Sequence, residues 1–424
     1  MIRASALASA LALLAAAAPA FAQNPAQNQP LAAWVQMTGQ GAEARAVAGP
    51  GGCPEAKVDG KPAAMTARAA AGAEFPEVCA LALPVGAASL EVGGRPLPVP
   101  RPAQRIVIFG DTGCQVTDFA IQACNDPQAW PFAVVARLAA AQKPDLVIHV
   151  GDYYYRERPC PLDLKACAGT PFGDHWGTWA AEFFDPAAPL LKAAPWVFAR
   201  GNHENCNRGW RGWYALLDAG PVPAEGCQPV ATPFAVHTGD LSLYVIDSAD
   251  AGDRTHRRGE VEAMASQLDR LGPGLDLGRG WIITHRPVWA LVPIARLGPA
   301  APLEVGLNFT EQDAVRGRAL GGVQMIVSGH VHDFQAITFG SQRPAQLVVG
   351  SGGGERLKAD RPTPYGGPRE IDGMDGRTFS FSRFGYYLMD KDGEDWVGAF
   401  HDITDQVRAR CRLHQRELTC KEPK

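Results

Sequence analysis

Five short hydrophobic runs in this sequence end in side chains that can bind a metal ion. The run 105–109 leads into Gly110-Asp111, and 145–150 leads into Gly151-Asp152. The run 196–199 precedes Gly201-Asn202-His203-Glu204, 281–284 precedes His285, and 323–327 precedes Gly329-His330-Val331-His332. Carboxylates, an amide oxygen and imidazoles are the donors of a mixed oxygen and nitrogen metal site. Each is ordinary alone: Gly-Asp is a common turn, and a lone histidine at a strand end is more often a satisfied core residue. His330 and His332 alternate across an extended segment, so their imidazoles need not face one ion, although they can serve two adjacent ones. Their order, and their shared place after hydrophobic runs, is what chance does not readily supply.

The elements that must position these groups follow from periodicity. The five runs are rich in β-branched residues and read as strands. Between the first two, Trp130, Val134 and Leu138 fall four apart on one helical face, and Val261, Met264, Leu268 and Leu271 mark a second helix. Strands alternating with helices predict an α/β fold with a buried parallel or mixed sheet. Stretches near 241–247, 381–390 and 396–401 predict antiparallel additions. Ligands of open α/β sheets bind beyond the carboxyl ends of the strands, so the five run ends are expected to converge there. Residues 23–103 differ. Short alternating stretches at 32–37 and 89–92, set among Gly and Pro, predict a small β-rich N-terminal domain ending in a stiff Pro-rich linker at 98–102. The catalytic unit is expected over 104–405, with a C-terminal tail carrying a Cys pair over 406–424.

Together the blocks Gly110-Asp111-Thr112-Gly113, Gly151-Asp152-Tyr153-Tyr154-Tyr155, Gly201-Asn202-His203-Glu204, Ile282-x-x-His285 and Gly329-His330-Val331-His332 resemble the five ordered motifs of calcineurin-like metallophosphoesterases. More narrowly they resemble the purple acid phosphatase branch, which has Asp-x-Gly in the first block and Asp-x-x-Tyr in the second. The resemblance spans roughly 105–403. It implies a four-layer α/β/β/α sandwich with mixed sheets and a dinuclear metal site at the strand ends. It assigns one ion to Asp111, Asp152, Tyr155 and His332, and a second to Asp152, Asn202, His285 and His330, with Asp152 bridging. Tyr153 and Tyr154 stand beside Tyr155 as alternative phenolates, and Tyr155 is also readable as a pocket aromatic. Two carboxylates and a phenolate favour ferric iron; imidazoles and an amide oxygen suit a divalent ion, zinc, manganese or ferrous iron.

Composition sets the compartment and excludes some partners. The chain has 424 residues, 40 Lys+Arg against 44 Asp+Glu, and a formal net charge of −4, so it carries no electrostatic footprint for nucleic acid or an acidic membrane surface. Gly and Pro together make 81 of 424, an excess that points to many loops around a regular scaffold. Residues 1–22 read as a signal peptide: Arg3, an Ala/Leu run, and an Ala20-Phe21-Ala22 cleavage site. No later stretch is long enough to span a membrane once that signal is cleaved. All ten cysteines lie after the signal and would meet an oxidising compartment, secreted or periplasmic. Pairing each with its nearest neighbour gives Cys53-Cys79, Cys114-Cys124, Cys160-Cys167, Cys206-Cys227 and Cys411-Cys420. Three of these follow ligand positions closely and would brace the loops that hold them.

The function expected is an exported phosphatase that cleaves small phosphate monoesters by attack of a metal-activated water. His203 is the candidate proton donor to the leaving oxygen, with Glu204 either holding its imidazole or serving as a plain loop carboxylate. Arg200 and Arg286 flank ligand positions and are candidates for binding phosphate, with structural arginine as the alternative. A phosphodiesterase or nucleotide hydrolase would use the same site, with specificity set by loops at 289–322 and 355–379. An inactive exported binding protein on this scaffold is the reading from another class; such proteins usually lack ligands, and here every position is filled. The turn 349–355 lacks the third glycine of a dinucleotide fingerprint and reads as a tight turn near the site.

Overall fold

The computed structural model describes residues 29–275, 279–293, 303–305, 308–318, 320–355 and 365–423. The expected signal peptide, 1–22, lies outside the described residues, as do parts of the two expected specificity loops.

Two sheets, of eleven and eight strands, form the centre. The middle of the first is parallel: β1 (Arg105–Phe109), β2 (Leu146–His149) and β3 (Trp196–Phe198) lie side by side. They are almost wholly buried and apolar on both faces, as parallel strands covered on both sides must be. The second sheet has β4 (Gly280–Ile283) parallel to β5 (Val323–Ser328) near its middle. Alternation along β4 shows how the layers stack. Trp281 and Ile283 enter the core shared with the first sheet, whereas Ile282 joins Met264 and Leu268 on the opposite face. Between the sheets, Trp281 meets Trp396 edge-on at 5.2 Å and Phe334 meets Phe400 at 5.2 Å. Helices α1 (Phe132–Ala141) and α2 (Asp185–Leu191) cover the outer face of the first sheet. Helices α3 (Arg258–Leu275) and α4 (Phe309–Val315) cover the second. The result is the four-layer α/β/β/α sandwich with mixed sheets.

Two local expectations change. Helix α1 starts at Phe132 and buries Phe132, Val135, Ala136 and Ala139; Trp130 precedes it, and Val134 and Leu138 lie half-buried on its flank. The small alanines let the helix sit close to the sheet, and an apolar count led by the larger residues selects the wrong face. The stretch 381–390 is also not one strand. Met374–Phe381 belongs to the second sheet and Gly385–Asp392 to the first, so the chain changes layer between them.

The N-terminal region is β-rich. A four-stranded sheet, Lys61–Ala64, Glu55–Val58, Leu90–Val92 and Arg95–Leu97, closes on a small core that includes Val35, Ala44, Leu90 and Val92. Other strands of this region extend the main sheet: Ala32–Thr38 pairs parallel to β3 in the register Gln36↔Trp196. At the opposite edge Val407–His414 and Glu417–Lys421 form a hairpin. All five disulfides join the expected neighbours: Cys53–Cys79, Cys114–Cys124, Cys160–Cys167, Cys206–Cys227 and Cys411–Cys420.

Candidate metal centre

The five strand ends converge. Asp111 follows β1, Asp152 follows β2, Asn202 follows β3, His285 follows β4, and His330 and His332 follow β5. Asp111, Asp152 and His330 have φ of +58°, +61° and +67°, a left-handed backbone that costs a non-glycine residue roughly 1–3 kcal/mol. Each such turn reverses the chain at once and aims the side chain back over the sheet end. The turns are tied together: Asp111 N–H donates to Gly151 O at 2.9 Å, and Thr112 N–H donates to Asp152 O at 3.0 Å. Glycines give the space. A Cβ on Gly201 would overlap the amide and Oδ1 of Asp152, and one on Gly329 would overlap Asp111 Oδ2. In the turn 349–355, Gly352 N–H donates to Gly110 O at 2.9 Å and Gly354 N–H to Asp111 O at 2.6 Å, which places that turn beside the site as expected.

Two sets of donors share Asp152. Asp111, Asp152 and His332 form one; Asp152, His285 and His330 form the other; within each set the donor atoms lie within 4.8 Å of one another. Asn202 Oδ1 sits 3.0 Å from His285 Nε2 and 2.8 Å from His330 Nδ1. Tyr155 Oη lies 2.8 Å from Asp152 Oδ2, 3.3 Å from Asp111 Oδ1 and 2.9 Å from His332 Nε2. Its two neighbours point elsewhere: Tyr153 donates to Ala199 O at 2.9 Å inside the core, and Tyr154 stacks on Trp179.

The outward face of each imidazole decides what its inward face can do. His285 Nδ1 donates to Val150 O at 2.8 Å, His332 Nδ1 donates to Glu355 O, and His330 Nε2 faces Asp253 Oδ2 at 3.1 Å. Neutral His285 and His332 in these tautomers turn lone pairs into the cluster. His330 does so through Nδ1 when its Nε2–H goes to Asp253, although Arg286 Nη1 also reaches Nε2 at 3.0 Å; Asn202 Oδ1 and two carboxylates offer lone pairs too. The buried centre is therefore rich in acceptors and poor in protons, and it calls for positive charge. Burial opposes charge on His285, but Asp152 overrides it and raises the imidazole to about 9. Burial and the carboxylates of Asp152 and Asp111 push the Tyr155 phenol well above its usual range, so a cation binding there must displace that proton. The donors fit two metal ions.

Residues 104–334, more than half of the chain, match the family model of calcineurin-like phosphoesterases. The chain belongs to the calcineurin-like phosphoesterase family. By structure this phosphoesterase is similar to the purple acid phosphatase PPD1 from yellow lupin (Lupinus luteus) seeds, with a TM-score of 0.51 and 15% identity over 90% of this chain and 73% of that one. It is also similar to PhoD, with a TM-score of 0.56 and 14% identity over 95% of this chain and 93% of that one. At these identities the likeness is one of fold. No curated protein matches the sequence.

Several residues of the phosphoesterase differ from their expected roles. Glu204 does not touch the His203 ring. Its buried carboxylate accepts backbone N–H groups from Asp152 at 3.1 Å, Tyr153 at 2.9 Å, Tyr154 at 3.0 Å and Gly201 at 3.0 Å, clasping the two ligand turns. The carboxylate on His203 is Glu157, whose Oε1 lies 2.6 Å from Nδ1. Arg200 is buried away from the cavity, bonded to Asp247 Oδ2 at 3.1 Å and Glu204 O at 2.9 Å, and is structural. Arg286 reaches Asp253 Oδ1 at 2.5 Å and lies 3.0 Å from His330 Nε2, so it braces a candidate ligand. A shallow cavity of about 380 Å³ opens over the cluster, walled by Asp152, Tyr155, Asn202, His203, His330 and His332 among others, with neither arginine in its wall. A larger hollow of about 860 Å³, near Arg68 and Pro221, contains none of these groups.

Four supporting residues were not singled out from the sequence. Glu182 is buried, burial raises it to about 7, and it accepts from Cys114 N at 2.9 Å and Tyr155 N at 3.1 Å. His149 accepts from Gly151 N at 3.2 Å through Nδ1, so its Nε2–H donates to Thr112 Oγ1 at 2.9 Å and links the Asp111 and Asp152 turns. Asp253 and Glu157 complete the set. Only the fact that His149 interrupts an apolar strand could have singled out any of them.

Proposed function

We propose that this phosphoesterase is an exported dinuclear-metal phosphatase acting on small phosphate monoesters. The observation that carries the reading is the pair of donor sets joined at Asp152. Asp111, Asp152, Tyr155 and His332 would hold ferric iron, and Asp152, Asn202, His285 and His330 a divalent zinc, iron or manganese ion. Two such ions, when bound, clamp the phosphate, supply a nucleophilic water and stabilise charge on the attacking and leaving oxygens.

The chain's own groups do the rest. His203 lines the cavity and its ring packs against Tyr155 with centroids 4.2 Å apart. With Nδ1–H given to Glu157, the opposite nitrogen is left as the candidate to pass a proton to the leaving alkoxide. His203 N–H donates to Asp152 Oδ1 at 3.0 Å, which ties the proton donor to the bridging ligand. The clasps of Glu204 and Glu182 keep the ligand turns in place as charge shifts.

Tyrosine in the second block supports the acid phosphatase branch. Export is supported by five disulfides, and no helix among the described residues is long and apolar enough to cross a membrane. The test is metal analysis with a visible spectrum, followed by assay of a monoester and a diester over about pH 4–9. Iron, a tyrosinate band and monoester preference are expected. A colourless, iron-free protein overturns the ferric assignment, diester preference overturns the substrate class, and full activity of Asn202→Ala overturns the dinuclear mechanism.

A further inference from the structure

Phe119 has no packing reason to be where it is. Its side chain is 90% exposed, yet it lines the cavity over the metal cluster together with Gln115, Ala120 and His203. An exposed phenylalanine is unremarkable on a mobile loop, but this loop is fastened from both ends. The Cys114–Cys124 bridge closes it, with both cysteines buried. Inside it, Val116 and Ile121 form an antiparallel bridge, Thr117 N–H donates to Ala120 O at 2.9 Å, and Phe119 N–H donates to Thr117 Oγ1 at 3.2 Å. Its base is pinned to the site: the buried Gln122 amide donates to Gly353 O at 2.8 Å and Ala129 O at 2.6 Å, and its oxygen accepts from Gln115 N at 3.1 Å. A rigid turn therefore holds one aromatic ring in water at the mouth of the site.

We infer that Phe119 is a stacking platform that selects phosphate esters whose alcohol part carries an aromatic or heteroaromatic ring. The inference rests on the phosphoesterase reading of the cluster and narrows its substrate class. The Phe119 ring, exposed at the rim of a largely polar cavity, offers a face, and the partner that matches a face is another flat ring. An aliphatic chain would need a groove walled on two sides, whereas the rest of this cavity's wall is mainly imidazole, amide, phenol and carboxylate. The bridge supplies preorganisation, so the ring's ordering is already complete before substrate arrives.

The test compares benzyl phosphate with cyclohexylmethyl phosphate, which are alike in size and leaving group and differ in having a π face. The metal-loaded, disulfide-intact chain is expected to prefer benzyl phosphate in kcat/KM. Phe119→Ala should shrink that preference by roughly three- to tenfold, and Phe119→Trp should keep or raise it. Equal loss on both esters, or no wild-type preference between them, overturns the platform. Binding of benzylphosphonate against cyclohexylmethylphosphonate, measured by calorimetry, separates this failure from that of the function itself. If no ester is hydrolysed but Phe119→Ala weakens only benzylphosphonate, the platform stands and the catalytic reading falls. If neither phosphonate distinguishes the variant from wild type, the platform falls alone.

Discussion

Replacing Asp253 by asparagine tests how the centre controls its histidines without touching a ligand. Burial opposes its charge, yet His330 and Arg286 hold the Asp253 carboxyl well below the usual carboxylate range, so it is an acceptor on both oxygens. One oxygen takes Arg286 Nη1 at 2.5 Å and the other faces His330 Nε2 at 3.1 Å. Asparagine keeps only one acceptor. If its oxygen stays with Arg286, its NH₂ faces His330, whose ring must then accept at Nε2 and carry its proton on Nδ1. That proton would sit between Nδ1 and Asn202 Oδ1, now 2.8 Å apart, and would fill the lone pair needed for a metal. If the oxygen turns to His330 instead, the NH₂ confronts a guanidinium. Either way the ligand form of His330 is disfavoured, and outer-shell losses of this kind cost about 10- to 100-fold in metal affinity, or about 1.4–2.7 kcal/mol. Chelator competition for the divalent ion reads this directly. In a His330→Ala background, Asp253→Asn should have almost no further effect, because the interaction it acts through is gone. Unchanged affinity in the single variant, or an equal loss in both backgrounds, would refute the tautomer mechanism.

Three further outcomes follow from the same geometry. Glu311 is buried and accepts from Thr284 Oγ1 at 3.3 Å, and burial raises it to about 8, so the folded protein favours its protonated form at neutral pH. Its folded pKa lies above the unfolded value, so stability falls as pH rises from about 4.5 to 8, by about 5 kcal/mol in all. Urea midpoints should show Glu311→Gln gaining on the wild type between pH 5 and pH 9; parallel curves would be contrary to this. Gly201→Ala should abolish metal retention, since its Cβ overlaps Asp152, and a metal content equal to wild type would show that the turn has more room than the structure gives it. Tyr155→Phe should remove any ferric charge-transfer colour while Tyr153→Phe preserves it, because the Tyr153 hydroxyl is spent on Ala199 O; the reverse pattern would move the phenolate.

What could be read from the sequence was local. Each strand end carries its candidate ligand within a few residues, so Asp111, Asp152, Asn202, His285, His330 and His332 stand out as a series, and Tyr155 follows Asp152 closely enough to reach the same centre. Glu157 and Asp253 act across distances in sequence that no pattern spans: Asp253 lies 77 residues from His330, and Glu157 46 from His203. Glu204 looked like a partner for His203 because the two are adjacent, but adjacent residues on such a tight turn point apart, and its carboxylate goes inward to four amides. The α/β class and its mixed sheet were legible from alternation between strand and helix, and the four layers were implied by the family resemblance. The joining of the N-terminal strands to the main sheet was not, because the parallel pairing of Gln36 with Trp196 leaves no mark on either segment.

Because every cysteine bonds to the next one along the chain, the bridges can form in the order in which the residues emerge. In a chain exported N-terminus first, Cys53 would meet Cys79 before Cys114 appears, and the same holds for each later pair. Separations of 26, 10, 7, 21 and 9 residues keep every ring small, so each closure is favoured over capture of a more distant thiol. In an exported chain this neighbour pairing would let vectorial oxidation reach the native bridges with little reshuffling. The loops that carry Asp111, Asp152 and Asn202 would then be closed one after another during translocation, before His285 and the His330 turn arrive to complete the centre.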